Sequence, residues 1–192
     1  MRKVKKSRLA IAVAIVGLAL LPSAGGKAQD KSKRETFQAT AMGQSTQMGR
    51  MFSVNIVIDE YSTADDRQAL LDAFSSKGMQ GLSNALSKMK SKGRLSITGT
   101  LGYDVSYIRS FPTETGRKIR LVTNRAIRFG EAWADTRSMD YSLSAVELDI
   151  SNEKGKNAGI LLPACQFKLD KEKQLEIENY QNPWKLQNIR DR

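Results

Sequence analysis

Apolar and polar residues alternate along most of Tyr141–Ile150, Gly159–Leu169 and Gln174–Tyr180, and short charged connectors, Ser151–Ala158 and Asp170–Lys173, separate them. A period of two puts one face of each stretch on a core and the other in water. Stretches joined by short links predict an antiparallel meander. Upstream, Phe52, Val54, Ile56 and Ile58 form a further strand pattern, and Phe37–Met42 and Arg94–Thr98 add two more. Tyr103, Val105 and Tyr107 mark one phase of the next strand, Pro112–Gly116 a turn, and Ile119, Leu121 and Thr123 the return. A last strand is expected over Trp184–Ile189.

Between residues 62 and 93 the period changes. Ser62–Thr63 can cap a helix whose first turn holds Asp65 and Asp66, where carboxylates suit the positive end of the dipole. Leu70, Leu71 and Phe74 form one apolar stripe, ended by Gly78; Leu82, Leu86 and Met89 form a second, ended by Gly93. These predict a helical hairpin over about 63–91, laid on the sheet face that carries Phe52, Val54 and Ile56. The expected fold is therefore α+β: one domain, an antiparallel sheet of about seven or eight strands ending in a meander, and a helical hairpin on one face.

Two positions disturb the alternation. Pro163 falls inside a strand with expected neighbours, although proline cannot donate to a ladder. The phase also slips between Ala145 and Val146, which predicts a bulge there. Cys165, the single cysteine, shares a phase with Leu161, Phe167 and Leu169 and reads as a small buried hydrophobe rather than a reactive thiol.

The N-terminal region follows another logic. Basic Met1–Arg8 precedes the apolar run Leu9–Leu21 and a small, Gly-rich segment, the layout of a secretory signal peptide over residues 1–28. Its 13 apolar residues fall short of a bilayer span of about 20, so no transmembrane span is expected after processing. Residues 29–35 read as a flexible leader, and 36–192 as the single α+β domain. The expected location is exported, periplasmic or extracellular. Processing also changes the charge picture. The whole chain is +11, but residues 1–28 hold six basic residues and no acid, which leaves 25 basic against 20 acidic side chains, or about +5. A mildly basic exported globule without a stacking motif is not expected to bind nucleic acid.

The chain has no histidine. That removes Ser-His-Asp and Cys-His nucleophile sites and the common imidazole-ligated metal centres, so no cofactor or metal is expected. The thioethers of Met48 and Met51 could bind Cu(I), but they also suit gap-filling at a strand entrance. Ser87–Lys90 and Ser151–Lys154 match the Ser-x-x-Lys spacing of penicillin-recognising acyl enzymes without the partner motifs. Glu131 and Asp135 flank Trp133. On a helix the two carboxylates would share a face, and they supply the alternative function, a carboxylate-dependent glycan hydrolase.

Arg117, Lys118, Arg120, Arg125 and Arg128 form the notable charge cluster, with no acid between Thr115 and Gly130. A solvated sheet face accounts for it, and so does an anion-binding face for envelope lipids or polymers. The segments Phe37–Gly43, Arg117–Phe129 and Leu175–Ile189 resemble a group of small secreted bacterial proteins of unknown function, which implies export but no activity. The sequence thus favours an exported, non-catalytic domain that binds an anionic envelope component or a protein partner through Lys118, Arg120, Arg125 and Arg128. A curved sheet enclosing a small apolar ligand is a third expectation, and periodicity is blind to curvature.

Overall fold

Pairing between non-sequential strands closes the sheet on itself. The computed structural model describes residues 34–127, 142–169, 175–179 and 182–192. The strands are β1 (Glu35–Met42), β2 (Met51–Ile58), β3 (Gly93–Ile97), β4 (Tyr103–Thr113), β5 (Gly116–Thr123), β6 (Leu143–Ser151), β7 (Ala158–Leu169), β8 (Leu175–Asn179) and β9 (Trp184–Asp191). Each of β1 to β7 pairs antiparallel with the next, β9 bridges β7 and β1, and eight strands complete a barrel with β8 as an appended strand on β7. One helix, α1 (Ala64–Lys88), connects β2 to β3.

This corrects the expected α+β architecture of an open sheet under a helical hairpin. The strands fall where alternation places them, but period two is the same in an open sheet and a closed one. Three register shifts supply curvature: β4 carries an extra residue between Val105 and Tyr107, β7 between Leu162 and Cys165, and β9 between Gln187 and Arg190. Nor is the helical region two helices joined by a loop. Helical backbone breaks only at Lys77 and Gly78, the latter at φ +55°, and resumes at once. Gly78 makes a kink because it adopts this conformation without a Cβ penalty.

The barrel interior is apolar. Phe37, Ile56, Ile58, Leu95, Ile108, Ile119, Leu121, Leu148 and Leu161 are among its fully buried side chains. Exposed Asn55, Arg94, Asp104 and Lys185 lie on the outside. Apolar inside and charged outside is the inverse of a membrane-spanning barrel. Among the described residues no helix is long and apolar enough to cross a membrane.

A second apolar cluster lies on the outer wall, where Leu70, Leu82 and Leu86 of α1 meet Val122, Leu143, Ala145, Leu162, Cys165 and Phe167. The helix therefore covers β4–β7 rather than Val54 and Ile56, which point into the barrel. The bulges explain the misassigned phases. Tyr103 and Val105 face the interior while Tyr107 joins the outer cluster; Leu161 faces in while Cys165 and Phe167 face α1. The slip at Ala145–Val146 is no bulge in β6. Leu143 and Ala145 pack under the helix and Val146 and Leu148 pack inside, both faces of one regular strand being buried; the extra residue belongs to β7 opposite. Pro163 sits at that bulge, between the part of β7 paired with β9 and the part paired with β8.

Candidate functional site

The β4–β5 turn continues into a ladder whose outer side carries three successive cross-strand rows. Tyr107, Val122, Ala145 and Leu162 form the first; Arg109, Arg120, Glu147 and Ile160 the second; Phe111, Lys118, Asp149 and Ala158 the third. The outer wall thus changes from apolar to charged along the strands.

The start of α1 is fixed beside this boundary. Ser62 extends the ladder on β4, its N–H donating to Ile108 O at 2.7 Å and its Oγ accepting from Ile108 N at 2.9 Å. Thr63 and Asp66 form a reciprocal capping box. Buried Lys92 reaches Glu60 and Asp66, both at 3.2 Å. Between α1 and the wall lies a groove of about 870 Å³. Its floor includes Leu71, Tyr107, Ile160 and Phe167, and Arg67, Arg109, Arg120 and Glu147 line it as well.

Its charges are unequal. Glu147 is held by Lys118 at 2.7 Å and Arg120 at 2.6 Å. Burial works to raise its pKa, but the hydrogen bonds from Lys118 and Arg120 outweigh burial and hold it below the usual 4.5. Lys118 is raised by its hydrogen bond to Glu147, against the effect of burial, and also reaches Asp149 at 3.4 Å. Among the described residues Arg67 and Arg109 have no carboxylate within ion-pair distance. Arg109 and Arg120 lie over the Phe111 ring, at 5.2 and 5.6 Å from its centroid.

The structure therefore brings Lys118 and Arg120 together on one outer face, as alternation predicts, but neutralises much of their charge through Glu147 and Asp149. Arg125 is elsewhere. It lies past the end of β5, over the Tyr103 ring at 5.1 Å. Arg117 is committed to the interior phase, where it binds the Glu35 carboxylate and donates to the Tyr61 hydroxyl at 3.2 Å. Arg128, Glu131, Trp133 and Asp135 lie outside the described residues. Sequence reasoning missed Arg67, Arg109, Phe111 and Glu147. Arg109 and Phe111 continue the alternation of Tyr107 and were legible in principle, whereas nothing local ties Arg67 to them.

Comparison with protein-family models, curated proteins and solved structures finds no match to this chain. Among the described residues no group of three or more His, Cys, Asp or Glu side chains is placed to hold a metal ion. The groove's walls are largely apolar, and its guanidinium groups offer hydrogen-bond donors and no acceptor.

Proposed function

We propose that this protein is an exported, non-catalytic binding domain that holds an anionic amphiphile of the cell envelope, such as a single-chain acidic lipid, in the groove between α1 and the barrel wall. The observation that carries this reading is the convergence of Arg67, Arg109 and Arg120, from three different elements, on one apolar groove. Its volume of about 870 Å³ falls within the roughly 300–1,000 Å³ of small-molecule sites. An acyl chain would lie along Leu71, Tyr107 and Phe167, and the acidic head would meet the arginines. Lys118 supports the site indirectly, by sharing Glu147 with Arg120.

The test is displacement of a fluorescent fatty acid from the processed protein by lysophosphatidylglycerol and by lysophosphatidylcholine. The anionic lipid displaces the probe at lower concentration, and Arg109→Glu removes that preference. Equal displacement by both lipids, or retention of the preference in Arg109→Glu, overturns the reading. Export is tested separately: mass spectrometry of the envelope fraction should find a chain beginning at Gln29.

A further inference from the structure

The end of the barrel that carries the β1–β2 and β3–β4 turns has a different surface from the rest. Among the described residues the large hydrophobic side chains left exposed are Met48, Met51 and Leu101, at 79, 61 and 93%. Met48 and Leu101 belong to these two turns and Met51 opens β2 beside the first, on either side of the β2–β3 ladder. Thr98, at the start of the β3–β4 turn, donates from its N–H and its hydroxyl to Ser53 O, two residues from Met51, which sets this turn beside the end of the β1–β2 hairpin. Single exposed apolar residues are ordinary; three at one end of a barrel, on two neighbouring hairpins, are not.

The turns are braced as well as exposed. Gly49, Gly99 and Gly102 hold φ of +85°, +83° and +84°, which keeps both turns tight. Arg94 donates to the carbonyl of Leu101 and pairs with Asp104 at 3.4 Å, and Arg125 donates to the carbonyl of Gly102 at 3.4 Å. Two guanidinium groups are thus fixed directly behind the apolar tip of the β3–β4 turn. Exposed Arg50 lies in the neighbouring turn. The opposite end of the barrel differs: its connections mix Asp59, Glu60, Glu114 and Glu153 with Lys90, Lys92, Lys154 and Lys156, and among the described residues they expose no large hydrophobic side chain.

We infer that this end docks on an anionic phospholipid surface, with Met48, Met51 and Leu101 entering the interface and Arg50, Arg94 and Arg125 meeting lipid phosphates. Apolar tips backed by cations match the two layers of such a surface, hydrocarbon beneath and negative headgroups above. The site is separate from the groove and does not depend on the ligand proposed there.

The processed protein is tested by co-sedimentation with vesicles of phosphatidylglycerol and phosphatidylcholine, and of phosphatidylcholine alone. It sediments with the first, releases as salt rises, and ignores the second. Replacing Met48, Met51 and Leu101 together by serine lowers vesicle affinity about tenfold or more, with thermal melting unchanged because all three are exposed. An environment-sensitive dye on Leu101→Cys brightens and shifts to the blue on vesicle binding; the native cysteine is buried and stays unlabelled. Equal binding by the native and triple-serine proteins, or a dye that does not respond, overturns the inference. So does binding that is lost in Arg109→Glu but kept in the triple-serine protein, which would place the contact at the groove. Sedimentation only with protein-bearing native membranes would make the occupant a protein and likewise overturn it.

Discussion

Arg109 stands directly across the β4–β5 ladder from Arg120, and both guanidinium groups lie over the ring of Phe111. Like charges directly opposite destabilise a sheet. Here the ring's negative face and the Glu147 carboxylate offset that repulsion. Phe111→Ala is therefore expected to cost about 1–2 kcal/mol, from two lost cation–π contacts at a half-exposed site. It should also weaken the binding of acidic amphiphiles. Urea denaturation and probe displacement measure the two effects, and an unchanged denaturation midpoint would show that the stack contributes nothing.

Acid should weaken the barrel. Burial acts to raise the pKa of Glu147 and of Glu35, but hydrogen bonds from Lys118 and Arg120, and from Arg117 and Tyr61, outweigh it and lower both below 4.5. A carboxyl with a folded-state pKa below its unfolded value adds stability that is present above about 4.5 and lost as pH falls through the folded value. Melting temperature should drop below pH 4.5, and Glu147→Gln should flatten that drop. Identical acid limbs for the two proteins would remove Glu147 from the account.

Gly78 and Gly81 control the kink in different ways. A Cβ at Gly78 would meet nothing within 4 Å, so Gly78→Ala is penalised only by its backbone, at φ +55° and ψ −145°. A cost of about 1–3 kcal/mol is expected. At Gly81 an added Cβ would lie 2.1 Å from the carbonyl oxygen of Ala73, which is backbone and cannot rotate away. Gly81→Ala should therefore be the worse substitution and should disturb the groove as well. The order of the two denaturation midpoints checks this.

Cys165 should report on the outer wall. Burial beneath α1 pushes its thiol up to about 12, which leaves little thiolate for reaction at pH 8. A thiol reagent should modify it only as fast as the protein opens, with urea accelerating the reaction. Rapid modification in native buffer would show that α1 leaves the wall locally.

The sequence by itself determined most of the strands, the reversal between β4 and β5 (a tighter turn, at Glu114–Thr115, than the expected Pro112–Gly116) and the capped start of α1, because alternation, turn chemistry and capping act over a few residues. Thr63 caps the helix where its hydroxyl and Asp66 predict it, and Lys118 and Arg120 share an outer face because residues two apart in a strand must. Only the tertiary structure decided closure, since joining β9 to β1 and β7 depends on long-range pairing that leaves no local pattern. It alone decided the faces of Tyr107, Cys165 and Phe167, because one bulged residue inverts every position beyond it. The groove has the same origin. Arg67 comes to line one groove with Arg109 and Arg120 beside the docking of Ser62 on Ile108, a contact across 46 residues that neither segment's periodicity contains.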